Sequence, residues 1–83
     1  MGAGMIRSGI CQFAGLMEHK LAKNDHKGSW DQDTVEQLLY KLECEVIELR
    51  NAFEISHSGD EILSECVDIA NFAMMIADKV VRE

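Results

Sequence analysis

Apolar residues in this chain recur at spacings of three and four over three long segments, and no proline interrupts any of them. Ile6, Ile10, Phe13, Met17 and Leu21 mark the first segment. Val35, Leu38, Leu39, Leu42, Val46, Leu49 and Phe53 mark the second, and Ile62, Cys66, Ala70, Ala73, Ala77 and Val80 the third. An α-helix turns once in 3.6 residues, so each set lies along one helical face. The pattern predicts an all-α chain with helices over about Met5–Lys23, Asp33–Ile55 and Asp60–Val81. The stretches "NDHKGSWDQD" and "SHSGD", rich in turn-formers, are the breaks. Asp33 with Glu36, and Ser58 with Glu61, have capping-box spacing at the starts of the second and third helices. Short connections favour antiparallel neighbours, giving a three-helix protomer.

Ile69, Phe72, Met74, Met75 and Ile76 extend the apolar surface of the third helix almost all round it, which predicts burial on most sides. Its alanines leave room for close helix approach, and its methionines read as core filling. A chain of 83 residues has a modest core of its own. With 47% apolar residues it is expected to complete that core by self-association, as a homodimer or homotetramer. Residues 1–83 read as a single domain, with Met1–Gly4 a tag remnant or a disordered end.

Eight Lys and Arg stand against fifteen Asp and Glu, a net charge of −7. That disfavours nucleic acid as a partner, which calls for a basic footprint. It is compatible with a phosphate-bearing small molecule if a divalent cation lies between protein and phosphate. No apolar run reaches the length of a membrane span, and no secretory signal pattern opens the chain. Cys11, Cys44 and Cys66 form no Cys-x-x-Cys pair and read as reduced, buried thiols of a cytoplasmic protein. His19, His26 and His57 are not spaced with them as zinc ligands.

The acidic residues carry the chemical signal. In "ECEVIELRNAFE", Glu45 and Glu48 are three apart; in "SECVDIANFAMM", so are Glu65 and Asp68. Each pair therefore shares one helical face. The face of Glu65 and Asp68 continues with Phe72 and Met75 instead of further polar residues, so these acids point toward an interior. Like charges held there repel unless a cation offsets them. Four carboxylates are hard oxygen ligands suited to Mg²⁺, with Mn²⁺ a substitute. A di-iron bundle would need Glu-x-x-His, and the third residue onward is Glu48 or Asp68, never His.

Other residues support two readings each. Lys20, Lys23, His26 and Lys27 form a basic cluster that is either a solvated helix end or a phosphate contact, with Lys23 and Lys27 favoured for the latter. Trp30 either plugs the base of the second helix or stacks on a nucleobase. Asn71, one turn beyond Asp68 in a helix otherwise apolar there, reads as a buried helix cap or an interhelical hydrogen bond. Asp78 and Lys79 read as a solvated terminus.

Glu45-x-x-Glu48 followed by Glu65-x-x-Asp68 resembles the motif of the MazG-like all-α nucleoside triphosphate pyrophosphohydrolases, whose relatives include dimeric dUTPases, dCTPases and phosphoribosyl-ATP pyrophosphohydrolase. "KLAKNDHKGSW" and "DIANFAMMIAD" are similar to segments of small MazG-like proteins, so the resemblance spans about Phe13 to Asp78. Cys44 stands where the family pattern has the first of its two adjacent glutamates. The resemblance implies an oligomeric helical bundle in which Glu45, Glu48, Glu65 and Asp68 hold Mg²⁺. It further implies attack of water on the α-phosphorus of a nucleoside triphosphate, expected to be a deoxynucleotide, giving the monophosphate and pyrophosphate. Glu45 would orient the water, with Glu48 the alternative, and Lys23, His26, Lys27, Trp30 and Asn71 would contact substrate. The broad role implied is nucleotide-pool house-cleaning. The rival reading is a non-catalytic helical oligomerisation or interaction module whose acidic faces are solvated.

Overall fold

A computed structural model describes residues 5–82; Met1–Gly4, with its expected tag or disordered end, lies outside the described residues. The described residues form three α-helices and no strand: α1 (Ser8–Lys23), α2 (Val35–Asn51) and α3 (Gly59–Arg82). The α1–α2 connection contains two short 3₁₀ turns, Asp25–Lys27 and Trp30–Gln32. Gly28 separates them at φ 95° and ψ 179°, a backbone conformation open essentially to glycine alone. A π-helical turn, Ala52–Ser56, continues α2 to a left-handed His57 at φ 56°. His57 N donates to Ala52 O at 2.8 Å, closing the wider turn. The helices fall where the apolar periodicity puts them, except that α1 begins at Ser8 instead of about Met5.

The N-terminus of α2 is capped one residue later than the sequence reading placed it. Thr34 Oγ1 accepts from Gln37 N at 3.0 Å, and Gln37 Oε1 accepts from Thr34 N at 2.8 Å, a reciprocal capping box. Asp33 is drawn instead to Lys41, at 3.1 Å. At α3, Glu61 N donates to Ser58 Oγ at 3.3 Å, as the spacing predicts. The Glu61 carboxylate does not close a box; it lies 2.9 Å from Ser56 Oγ.

α2 and α3 form an antiparallel hairpin, and α1 packs on α3. The most buried residues described are Leu38, Ala52, Val67 and Asn71. On α2 the inward line runs Leu38, Glu45, Ala52, seven residues apart and so nearly in register along the helix. The predicted α2 stripe holds in part: Leu38 is buried and Val35, Leu42 and Leu49 are half-buried, whereas Leu39, Val46 and Phe53, also seven apart, face outward at 46%, 45% and 63% exposure. On α3 the predicted Ile62, Cys66 and Ala70 are half-buried, and the far end of the stripe is corrected: Val67 and Asn71 face inward while Ala73, Ala77 and Val80 are exposed. Cys11, expected to be buried, is exposed, and Cys44 and Cys66 are half-buried.

The 3₁₀ turn Trp30–Gln32 is fixed to the end of α3. Trp30 Nε1 donates to Asp78 Oδ2 at 3.1 Å, Lys79 Nζ donates to Asp31 O at 3.2 Å, and Arg82 bridges Asp31 and Asp78. Asp78 and Lys79 therefore anchor a loop, where the sequence reading had a solvated terminus. The Arg82 guanidinium holds the Asp31 carboxyl below the ordinary carboxylate range. No described helix is long and apolar enough to cross a membrane.

Candidate metal centre

The antiparallel register of α2 and α3 brings acids from the two helices together. One carboxylate oxygen from each of Glu45, Glu65 and Asp68 lies within 4.8 Å of the other two, and all three residues are half-buried. Glu45 occupies the middle of the inward line of α2, between Leu38 and Ala52. Glu65 and Asp68 lie three apart on α3, one turn before buried Asn71. Two like charges at such a separation repel by roughly 3 kcal/mol at an effective dielectric of ~20.

The fold answers that repulsion with protons and one ammonium group. Burial pushes the Glu45 carboxyl up to about 7; hydrogen bonding with Glu65 and the charges of Asp68, Glu48 and Glu65 add to the shift. Glu45 Oε1 is sealed from solvent and has no hydrogen-bond partner. Lys20 of α1 reaches Asp68 Oδ1 at 3.0 Å and Ser64 Oγ at 2.6 Å.

These residues fit a divalent cation. The donors are hard oxygens, and one buried oxygen lacks a donor. Ligand oxygens in an octahedral Mg²⁺ shell lie about 3 Å apart when adjacent and about 4.2 Å apart when opposed, so the three oxygens would draw together to hold one ion. Glu48 is exposed and outside the close trio, but it acts on Glu45 electrostatically. Glu48 and Glu65 line a shared hollow of about 290 Å³. Of the four predicted ligands, the fold therefore brings three together and leaves Glu48 at the rim.

The predicted substrate contacts scatter. Lys27 and Trp30 line a cleft of about 630 Å³ beside Phe72 and Met75, the latter pair one to two turns along α3 from Asp68. That volume suits a nucleotide-sized ligand. Trp30 has its indole N–H tied to Asp78, so the loop wall is fixed in place. His26 is exposed on the Asp25–Lys27 turn. Lys23 is exposed and lines a different hollow, with His19, Lys20 and Ser64. Asn71 is 4% exposed and donates from Nδ2 to Met17 O at 3.3 Å, with Oδ1 unpartnered. It makes the interhelical hydrogen bond of its two readings.

Lys20, not Lys23 or Lys27, is the lysine that reaches the acids. Phe13, Met17 and Lys20 follow the four-then-three spacing of the inward face of α1, and all three are half-buried. That register was available in the sequence. Ser64, one turn before Asp68, could be found only from the packing of α1 on α3. Cys44 lies on the side of α2 carrying Tyr40, whose phenol it pushes above its ordinary range. No family model matches this chain, and no curated protein or solved structure does either.

Proposed function

We propose that the chain is a MazG-like, divalent-cation-dependent nucleoside triphosphate pyrophosphohydrolase, yielding a nucleoside monophosphate and pyrophosphate. The observation that carries this reading is the convergence of Glu45, Glu65 and Asp68 from two helices around an unpartnered, buried carboxylate oxygen. An arrangement that repels itself without a cation is poor as a stabilising device and sound as a cation site. A Mg²⁺ or Mn²⁺ ion held there supplies charge neutralisation to the polyphosphate and a more acidic water.

The chain's own residues then divide the work. Glu65 and Asp68 would hold the cation at the polyphosphate end of the site, and Glu48 lies on the acidic rim. Glu45, turned inward beside Glu65 and Asp68, would orient the attacking water, with Glu48 the alternative. The new bond joins the water oxygen to the α-phosphorus; the broken bond releases pyrophosphate. The cleft of Trp30, Lys27 and Phe72 receives the nucleoside. The rival, a non-catalytic helical module, predicts no specific response to divalent ions.

The test is a panel of ribo- and deoxyribonucleoside triphosphates with Mg²⁺, scored for monophosphate and pyrophosphate. Glu65→Gln and Asp68→Asn are expected to lower turnover about a hundred- to a thousandfold, the size of effect seen when electrostatic stabilisation of the transition state is lost, with helical circular dichroism unchanged. Orthophosphate as first product, or full activity in both variants, would overturn the reading.

A further inference from the structure

Lys20 is the one basic side chain that enters the acidic cluster among the described residues. It comes from α1, whereas the acids come from α2 and α3. Its ammonium is shared between Asp68 Oδ1 at 3.0 Å and Ser64 Oγ at 2.6 Å, and its side chain stays 31% exposed along an open hollow. Asp68, whose Oδ1 Lys20 holds, is one of the three residues that fit a cation. Two cations held on one carboxylate repel each other, so binding of a divalent ion at Asp68 weakens the hold on the ammonium and favours its release. The displaced group then sits at the edge of the site with three N–H donors and no anion. Ser64 is neutral and cannot replace the lost charge. A polyphosphate bound to the cation is the anion that arrives there, and an ammonium pairs with phosphate as a point charge.

We propose that Lys20 is an exchangeable counter-ion: it neutralises Asp68 in the cation-free protein and passes to the polyphosphate when a divalent ion takes Asp68. This rests on the pyrophosphohydrolase reading and adds a binding residue and an order of events to it. Lys20 makes bare cation binding weaker and polyphosphate binding stronger. The cation and polyphosphate therefore bind with positive coupling, since each removes the obstacle to the other.

The distinguishing measurement is a pair of affinities with opposite expected signs. Mn²⁺ alone is titrated by calorimetry into the wild type, Lys20→Met and Lys20→Gln; inorganic tripolyphosphate, which lacks any base, is then titrated at saturating Mn²⁺. Removing the ammonium is expected to tighten Mn²⁺ binding about fivefold, the factor equivalent to one partly exposed ion pair. The same variants are expected to bind tripolyphosphate at least about tenfold more weakly, with Lys20→Arg restoring it. A lysine that only supports packing would weaken both ligands or neither, and either result with folded variants overturns the exchange. Should Lys20→Met unfold, the neutral, polar Lys20→Gln and the charge-preserving Lys20→Arg carry the comparison. If the wild type binds no Mn²⁺, the cation-site reading itself falls. If it binds Mn²⁺ and the variants match it, only the role of Lys20 falls.

Discussion

In the folded chain Glu45 keeps its proton up to about pH 7, whereas an unfolded glutamate loses its proton near ~4.3. Between these values the folded state holds more protons than the unfolded state. The contribution of Glu45 to stability is therefore fully present below about pH 4.5, falls as pH rises through the window to about 7, and is gone above it. Chelator-treated protein is expected to show a lower urea midpoint at pH 7.5 than at pH 5. Glu45→Gln, which cannot ionise, is expected to flatten that slope. An equally steep profile in the variant would place the titration elsewhere. The same proton is displaced when a cation binds, so Mn²⁺ titrations near pH 6 should release heat that depends on the ionisation enthalpy of the buffer. Glu45 thus links three things at one residue: an inward position in α2, an unfavourable metal-free charge state, and a reason for a cation to be there.

The elements owe their boundaries to a few side chains. Thr34 caps α2 through a reciprocal pair of hydrogen bonds, while Asp33, its neighbour, is half of an ion pair with Lys41. Thr34→Ala is expected to destabilise the fold by about 1 kcal/mol in urea denaturation. Asp33→Ala is expected to change it by less, because an ion pair with an exposed lysine contributes about 0–1 kcal/mol. Equal losses would contradict this assignment of the cap. At the other end of α2 the π-helical turn and left-handed His57 reverse the chain within two residues of α3. That tight reversal sets the register in which Glu45 meets Glu65 and Asp68. The Trp30–Asp78–Arg82–Asp31 network does the equivalent work for the cleft, holding an otherwise polar loop against α3.

The whole molecule has more surface than its mass accounts for. Its accessible area is 6188 Å², against about 5,000 Å² for a globular monomer of this size. The excess of roughly 1,200 Å² is comparable with the ~800 Å² that each partner buries in an ordinary stable interface. Leu39, Val46 and Phe53 form an exposed line seven residues apart, and Val46, Leu49, Phe53 and Ile62 line an apolar groove of about 350 Å³. A second copy of this chain is the occupant expected there, since a line repeating every seven residues is what helices use to pack on one another. Light scattering after size exclusion is expected to give a dimer or a tetramer. Val46→Glu with Phe53→Glu is expected to shift it to the monomer and to lower thermal stability. A monomeric wild type at micromolar concentration would contradict this.

The all-α character, the three helices and the breaks at Gly28 and Gly59 were legible in the sequence, because 3.6-residue periodicity and turn chemistry are local properties. So was the pairing of Glu45 with Glu48 and of Glu65 with Asp68, which helical spacing alone places on shared faces. Where the inward face of α2 ends was not legible. Val35, Leu38, Leu42 and Leu49 turn inward, Leu39, Val46 and Phe53 of the same stripe do not, and periodicity cannot tell a face covered by the chain's own helices from one left uncovered. The choice of Lys20 over Lys23 and Lys27, the displacement of Glu48 to the rim, and the fixing of Trp30 by Asp78 were likewise decided only by packing. Each depends on the register between helices far apart in sequence, and that register is set by side-chain interlock across α1, α2 and α3. The sequence by itself determined the helices and the chemistry they carry; the tertiary structure decided which acids meet, and which cation of the chain meets them.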